Sequence, residues 1–242
     1  MSALIDAMRE LVTANRILAH EGVLDAYGHI TVRHPDDPER FLMSRSRSPQ
    51  HVSLADIVTF KLDCTPIDDL GRPLYSERPI HGAIYQARPD VHSVVHNHSY
   101  DVIPFSVTKF ALKPLAHVAA AIGHEIPVWD MATKFGDKTN LLVRQMEQGR
   151  DLAQKLGSGN VVLMRGHGCA VAGKSLRQAV MAALYLQVNA RMVLSAVRMG
   201  AGTDIKYLSK GEVETWMAQT GGPNFYDRPW EYLTKRAGCD DL

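Results

Sequence analysis

The chain has 242 residues, 45% hydrophobic and 22% charged, which is ordinary for a globular protein and long enough for one α/β domain with a large core. A formal net charge of +1 gives no electrostatic ground for a nucleic-acid partner or an anionic membrane surface. Three widely spaced cysteines (Cys64, Cys169, Cys239) imply no disulfide framework. With no signal-like apolar core near the start and no membrane-length apolar run, the expectation is a reduced, cytoplasmic protein.

Residues 2 to about 21 carry a helical stripe (Leu4, Ile5, Met8, Leu11, Val12, Ala14, Ile17, Leu18) that Gly22 ends. The run Gly28-His29-Ile30-Thr31-Val32-Arg33 alternates as a strand, and Phe41-Leu42-Met43 resumes the sheet after a polar turn. Residues 44–49 form a loop with two arginines, Arg45 and Arg47. A strand is expected over 56–62, a helix over 77–87 and a core strand over 91–96. The pattern then predicts a helix at 113–122, a short strand at 126–129, a helix at 140–156, a strand at 160–164 and its hairpin continuation at 168–172. Ser175 opens the longest helix, 176 to about 199, with Gln178 placed for a reciprocal capping box. No linker interrupts the chain before about residue 200. A catalytic unit over 1–205 is therefore expected, with a helical, aromatic-rich extension of the same domain over 206–242. The extension carries Tyr207, Trp216, Phe225, Tyr226, Trp230 and Tyr232. It reads as docked terminal structure, with a lid over a neighbouring subunit's site as the alternative.

Side chains at i and i+2 on a strand share a face, so His96 and His98 in Val95-His96-Asn97-His98 converge on one point. That geometry suits a divalent metal. A hydrogen-bonded pair of polar histidines at a strand end accounts for the pattern equally well. His167, between Gly166 and Gly168 at another strand end, is by itself a structural loop histidine. Beside the other two it becomes a third ligand, and three imidazoles with an open position describe a catalytic site rather than a closed structural one. Such chemistry on a carbon acid also needs a proton carrier. Glu77 opens the helix before the histidine strand, where local sequence alone reads it as a carboxylate placed for the helix dipole.

Taken together, the block from Glu77 through His81, Ile84-Tyr85, Ala87-Arg88-Pro89-Asp90-Val91 and His96-Asn97-His98-Ser99, followed by Arg165-Gly166-His167-Gly168, resembles the class II aldolase/adducin family. The resemblance runs from the first helix to about residue 200. It implies an α/β fold in α/β/α layers, with a central, mostly antiparallel sheet flanked by helices. It also implies His96, His98 and His167 as ligands of one divalent metal ion per subunit and Glu77 as the catalytic acid/base. A homotetramer with active sites between subunits is implied as well. Three imidazoles suit manganese or zinc, with iron or cobalt as alternatives.

Sugar-phosphate aldolases of this family hold phosphate with an Asn after the first glycine, a Thr/Ser-Gly loop and a Ser-Ser pair before the glutamate. This chain has His29, Ser44-Arg45-Ser46-Arg47 and Tyr75-Ser76 at those places. Guanidinium in place of glycine suits a planar carboxylate, whereas solvated arginines, or arginines paired across a subunit contact, are an equal reading. These departures are similar to the decarboxylase branch of the family, which acts on hydroxylated phthalates and hydroxypyridine dicarboxylates. The expected partner is thus a small carboxylate, with His29, Arg45 and Arg47 binding it. His117 either contacts the ring hydroxyl or sits on a helix surface.

Three other readings stand beside this one. A metal-dependent aldolase acting on a sugar or sugar phosphate would use the same electronic logic. A non-enzymatic scaffold of adducin type would dispense with the metal ligands, all of which are present. The run Gly168-Cys169-Ala170-Val171-Ala172-Gly173-Lys174-Ser175 matches the phosphate-loop pattern of nucleotide hydrolases. Its four intervening residues are apolar, however, and read as strand.

Overall fold

Helix α1 (Ala3–His20) opens the chain in the computed structural model, which describes residues 2–201, 204–219 and 225–239. The Ser2 hydroxyl caps it by accepting from the Ile5 N–H, and Gly22 at φ +67° turns the chain out of it. There follow β1 (His29–Arg33), β2 (Arg40–Ser44), β3 (Ile57–Lys61), α2 (Arg78–Ala87), β4 (Ser93–Asn97) and α3 (Ile103–Ser106). Next come β5 (Val128–Trp129), α4 (Met131–Phe135), α5 (Met146–Leu156), β6 (Val161–Met164) and β7 (Gly168–Gly173). The chain continues through α6 (Leu176–Ala196), α7 (Lys210–Gln219) and α8 (Asp227–Arg236).

The strands form one sheet in the order β3-β2-β1-β4-β7-β6-β5. Every neighbouring pair is antiparallel except β5 and β6. The expected mostly antiparallel sheet flanked by helices is thus present. Period-2 alternation divides its side chains between two cores. Ile30, Leu42, Val95, Leu163 and Val171 face α1 and α6, whereas Phe41, Met43, Val94, Val162 and Ala170 face α2 and α5. Val94 and Val95 are fully buried, each worth about 1.5–3 kcal/mol of burial. The strand that carries the histidine pair is therefore anchored from both sides.

Trp230 and Leu233 of α8 join the core that α1 and α6 build. The expected division at residue 205 follows closely on residues 202 and 203, which lie outside the described residues. The segment Leu176–Gly200 is long and apolar enough to cross a membrane by length and composition, but half of its most apolar stretch is buried within the fold.

Several expectations are corrected. The helix expected at 113–122 is only a 3-10 segment, His117–Ile122, which the chain enters extended at Ala116 and which Gly123 at φ +86° ends. The helix expected at 140–156 begins at Met146. The strand expected at 126–129 is reduced to Val128–Trp129. At α6 the Ser175 hydroxyl accepts from Gln178 N–H, but the Gln178 side chain reaches Lys174 N–H, so the capping box is not reciprocal. The phosphate-loop pattern dissolves into β7, whose residues pair with β4 on one side and β6 on the other.

Candidate metal centre

Four side chains from three places in the sequence meet at the end of the central strands. Glu77, His96, His98 and His167 each offer one ligand atom, and these atoms all lie within 4.8 Å of one another. His96 sits on β4 on the α2 side of the sheet, and His98 follows just past the strand end. His167 occupies the β6–β7 hairpin, where its N–H donates to the Met164 carbonyl at 3.0 Å. The glycines around it have different tasks. Gly166 takes φ +66°, which an L side chain rarely adopts. Gly168 lets β7 approach β4, since a Cβ there would stand 2.0 Å from the Asn97 carbonyl oxygen.

Glu77 stands at the N-cap of α2 yet makes no capping hydrogen bond. Its Oε1 instead accepts from the Val143 N–H at 2.9 Å, and its Oε2 lies 3.6 Å from His96 Nε2 and 3.5 Å from His167 Nε2. The helix-dipole reading of this residue therefore misses its main contacts. Residues 140–145 are not helical: Leu141 takes φ +65°, and Gln145 is extended as the N-cap of α5. Burial raises the Glu77 carboxyl, but the His167 and His96 imidazoles beside it outweigh that and hold the group well below the usual carboxylate range.

The outer ring nitrogens fix the inner ones. His96 Nδ1 donates to the Cys169 carbonyl at 3.0 Å, and His98 Nδ1 lies 3.2 Å from both oxygens of Asp25. Asp25 is itself held by the Tyr27 and Gly28 N–H groups at 2.9 and 2.8 Å. With these protons committed outward, both Nε2 atoms carry lone pairs. They stand 3.1 Å apart beside the Glu77 carboxylate. Lone pairs and negative charge concentrated without a proton between them fit a cation, and imidazole with carboxylate is a donor set for a divalent transition metal. Burial, with His96 next, lowers the His98 pKa, which keeps that ring neutral as ligation requires.

The other expected site residues are placed as follows. His29 on β1 is the register partner of His96, with ring centroids 5.1 Å apart. It is buried, and burial followed by His81 and His96 holds its pKa well below the ordinary histidine value. Tyr75 ties it to the arginine loop, because the Tyr75 ring packs on His29 at 4.6 Å and its hydroxyl donates to the Arg47 carbonyl. Arg45 and Arg47 both pair with Asp56 of the same chain, at 2.7 and 3.2 Å. His117 lies apart from the cluster. It lines a cavity of about 850 Å3 with Tyr185, Trp216, Tyr226, Arg228 and Tyr232, and its ring centroid is 6.1 Å from that of Trp216. Sequence reading missed Asp25 and Asp56. An Asp followed two and three residues later by Tyr27-Gly28 was the only local sign of the first, as a turn motif.

The family model described as "Class II Aldolase and Adducin N-terminal domain" matches residues 9–194. Decarboxylase tropJ of Talaromyces stipitatus is 35% identical over 206 residues, covering 80% of this chain and 77% of that protein. A 3,4-dihydroxyphthalate decarboxylase of Arthrobacter keyseri is 29% identical, covering 80% of each. Among solved structures, an aldolase II superfamily protein of Pseudomonas syringae superposes with TM-score 0.81 at 23% identity, covering 99% of this chain and 96% of that one.

Proposed function

The chain belongs to the class II aldolase and adducin family, and from that premise we propose that it is a metal-dependent carboxy-lyase acting on a hydroxylated aromatic or pyridine (di)carboxylate. The observation that carries the proposal is the cluster of Glu77, His96, His98 and His167 in a chain whose relatives include decarboxylases at 29–35% identity. His96, His98 and His167 are the assigned ligands of one divalent ion, manganese or zinc in the first instance. Bound there, such an ion supplies Lewis-acid polarisation of a ring hydroxyl and its neighbouring carboxylate, the electron sink that loss of CO2 requires.

The chain's own residues do the rest. Glu77 enters as a carboxylate, takes up a proton from solvent or a held water, and returns it to the ring carbon that has lost CO2. Its Oε1 is anchored by Val143, which leaves Oε2 as the working oxygen. Arg45 and Arg47 orient a second carboxylate. Asp56 holds both in place meanwhile, so the substrate exchanges with or shares that partner. His29, beside His96, contacts an oxygen of the substrate. His117 faces a different cavity within this chain, and its assigned contact with a ring hydroxyl therefore requires the neighbouring subunit's site. That arrangement accords with a homotetramer whose active sites lie between subunits, with 206–242 an extension of the same domain. Cys64 and Cys169, buried as thiols far apart in the chain, accord with a reduced, cytoplasmic setting.

Two variants test the assignment. His96→Ala loses metal and CO2 release together. Glu77→Gln keeps stoichiometric metal while turnover falls by about a hundredfold or more, the usual worth of a positioned acid/base. Full activity in Glu77→Gln refutes the acid/base role.

A further inference from the structure

Beside the metal cluster lie four polar side chains, His29, Thr31, His81 and Tyr85, none more than 1% exposed. They are joined end to end. Tyr85 Oη lies 2.8 Å from Thr31 Oγ1, Thr31 Oγ1 lies 2.8 Å from His81 Nδ1, and His81 Nε2 lies 2.7 Å from His29 Nδ1. Each link holds one hydrogen, so fixing the direction of one link fixes the others.

The Tyr85 hydroxyl meets Thr31 Oγ1 as its acceptor among the described residues, and therefore donates to it. Thr31 has a single hydrogen and two groups that can take it, His81 Nδ1 at 2.8 Å and the Val94 carbonyl at 3.4 Å. The 2.8 Å contact is a hydrogen bond in either sense, and the Val94 carbonyl stands beside the His81 ring as well as Thr31; the polarity assigned is the one in which Thr31 donates to His81 over the shorter distance. His81 Nδ1 then accepts, its Nε2 bears the ring hydrogen, and that hydrogen is donated to His29 Nδ1. Neutral imidazole carries one N–H. The His29 hydrogen must accordingly sit on Nε2, the ring nitrogen with no hydrogen-bond partner among the described residues.

We propose that His29 presents a fixed Nε2–H donor to an anionic oxygen of the substrate, and that Tyr85, Thr31 and His81 are positioning residues that set this polarity. The identity of the ligand as an aryl carboxylate rests on the decarboxylase reading; the direction of the relay does not. A donor locked in this sense favours a carboxylate or phenolate oxygen and disfavours a group that offers only a hydrogen.

The test is long-range proton–nitrogen NMR on the zinc-loaded full chain labelled with 15N-histidine, the His29 signals being identified by their loss in His29→Asn. The expected result is a His29 ring with its hydrogen on Nε2 and a bare Nδ1. A hydrogen on Nδ1 overturns the proposal. Thr31→Val removes the hydroxyl that feeds His81, so both rings should reverse tautomer and phthalate, used as an unreactive dicarboxylate probe, should bind about tenfold to a hundredfold more weakly, the worth of one hydrogen bond to a charged group. Thr31→Ser restores the hydroxyl and should restore both readouts. Unchanged tautomers and phthalate affinity in Thr31→Val also overturn it, since a merely structural threonine would move neither. If no ring acid releases CO2 while His29 keeps its hydrogen on Nε2, the decarboxylase reading fails and the relay stands. CO2 release with the hydrogen on Nδ1 gives the converse.

Discussion

Gly168→Ala should separate the proposed metal ligands without touching one of them. The added Cβ would stand 2.0 Å from the Asn97 carbonyl oxygen, 3.0 Å from its carbon and 3.2 Å from His98 Cα. A carbon–oxygen contact relaxes to about 3.3 Å, so β7 and β4 must move apart by about 1.3 Å at this point. Nothing flexible can absorb the shift, because the opposing atoms are backbone. His167 sits next to the substituted position, and His96 and His98 flank the displaced carbonyl. Metal–ligand distances tolerate only about 0.2 Å, so the three imidazoles can no longer close on one ion. Overpacking of this kind costs about 1–3 kcal/mol of stability, which a domain of this size can survive. The assay is metal content by mass spectrometry after reconstitution and dialysis, with circular dichroism and a thermal melt confirming the fold. A folded variant carrying well below one ion per chain is expected. One full equivalent at undiminished affinity would refute the argument that this close approach holds the site together.

Asp25→Asn leaves the ligands in place but weakens the hold on His98 Nδ1, and metal affinity should drop by about tenfold to a hundredfold; competition with a fluorescent chelator reads it directly. Asp56 makes a separate prediction. Burial raises its pKa, but the Ser53 hydroxyl and N–H, then Arg45 and Arg47, lower it more, to about 2 from the usual 3.8. A folded value below the unfolded one means that ionisation favours folding, by about 2 kcal/mol. That stability is present above about pH 4 and is lost as the pH falls toward 2. Asp56→Asn should therefore melt at a lower temperature than the parent at pH 6, and the gap should close on acidification; a gap that persists unchanged at low pH contradicts the assignment.

The parts of the site that follow local periodicity could be read from sequence, and the parts that depend on distant pairing could not. His96 and His98 were legible because a strand repeats every two residues, and the two cores on either face of the sheet follow from the same rule. His167 was legible through its flanking glycines, although the reason for Gly168 is the approach of β4, seventy residues away in the chain. Asp25 gave no comparable sign, since its partner His98 is 73 positions distant. The His29–His81 link spans 52 positions and joins a strand to a helix. Arg45 and Arg47 stood out as charges, but only the fold shows that Asp56 already claims them. Residues 140–145 have helical composition yet stay outside the helix, with Leu141 at φ +65° and Val143 giving its N–H to Glu77. In each case a tertiary contact overrode a local preference.

The proposed metal centre would remove CO2 from a ring acid. The most direct test is CO2 release by the manganese- or zinc-reconstituted protein from a panel of hydroxylated phthalates and hydroxypyridine dicarboxylates, with a sugar-phosphate cleavage assay run on the same preparation. Metal-dependent release from one ring acid, abolished by chelation and restored by adding the ion back, is the result predicted. Cleavage of a phosphorylated sugar with no CO2 from any ring acid would contradict it, and would mean that His29, Arg45 and Arg47 serve a phosphate.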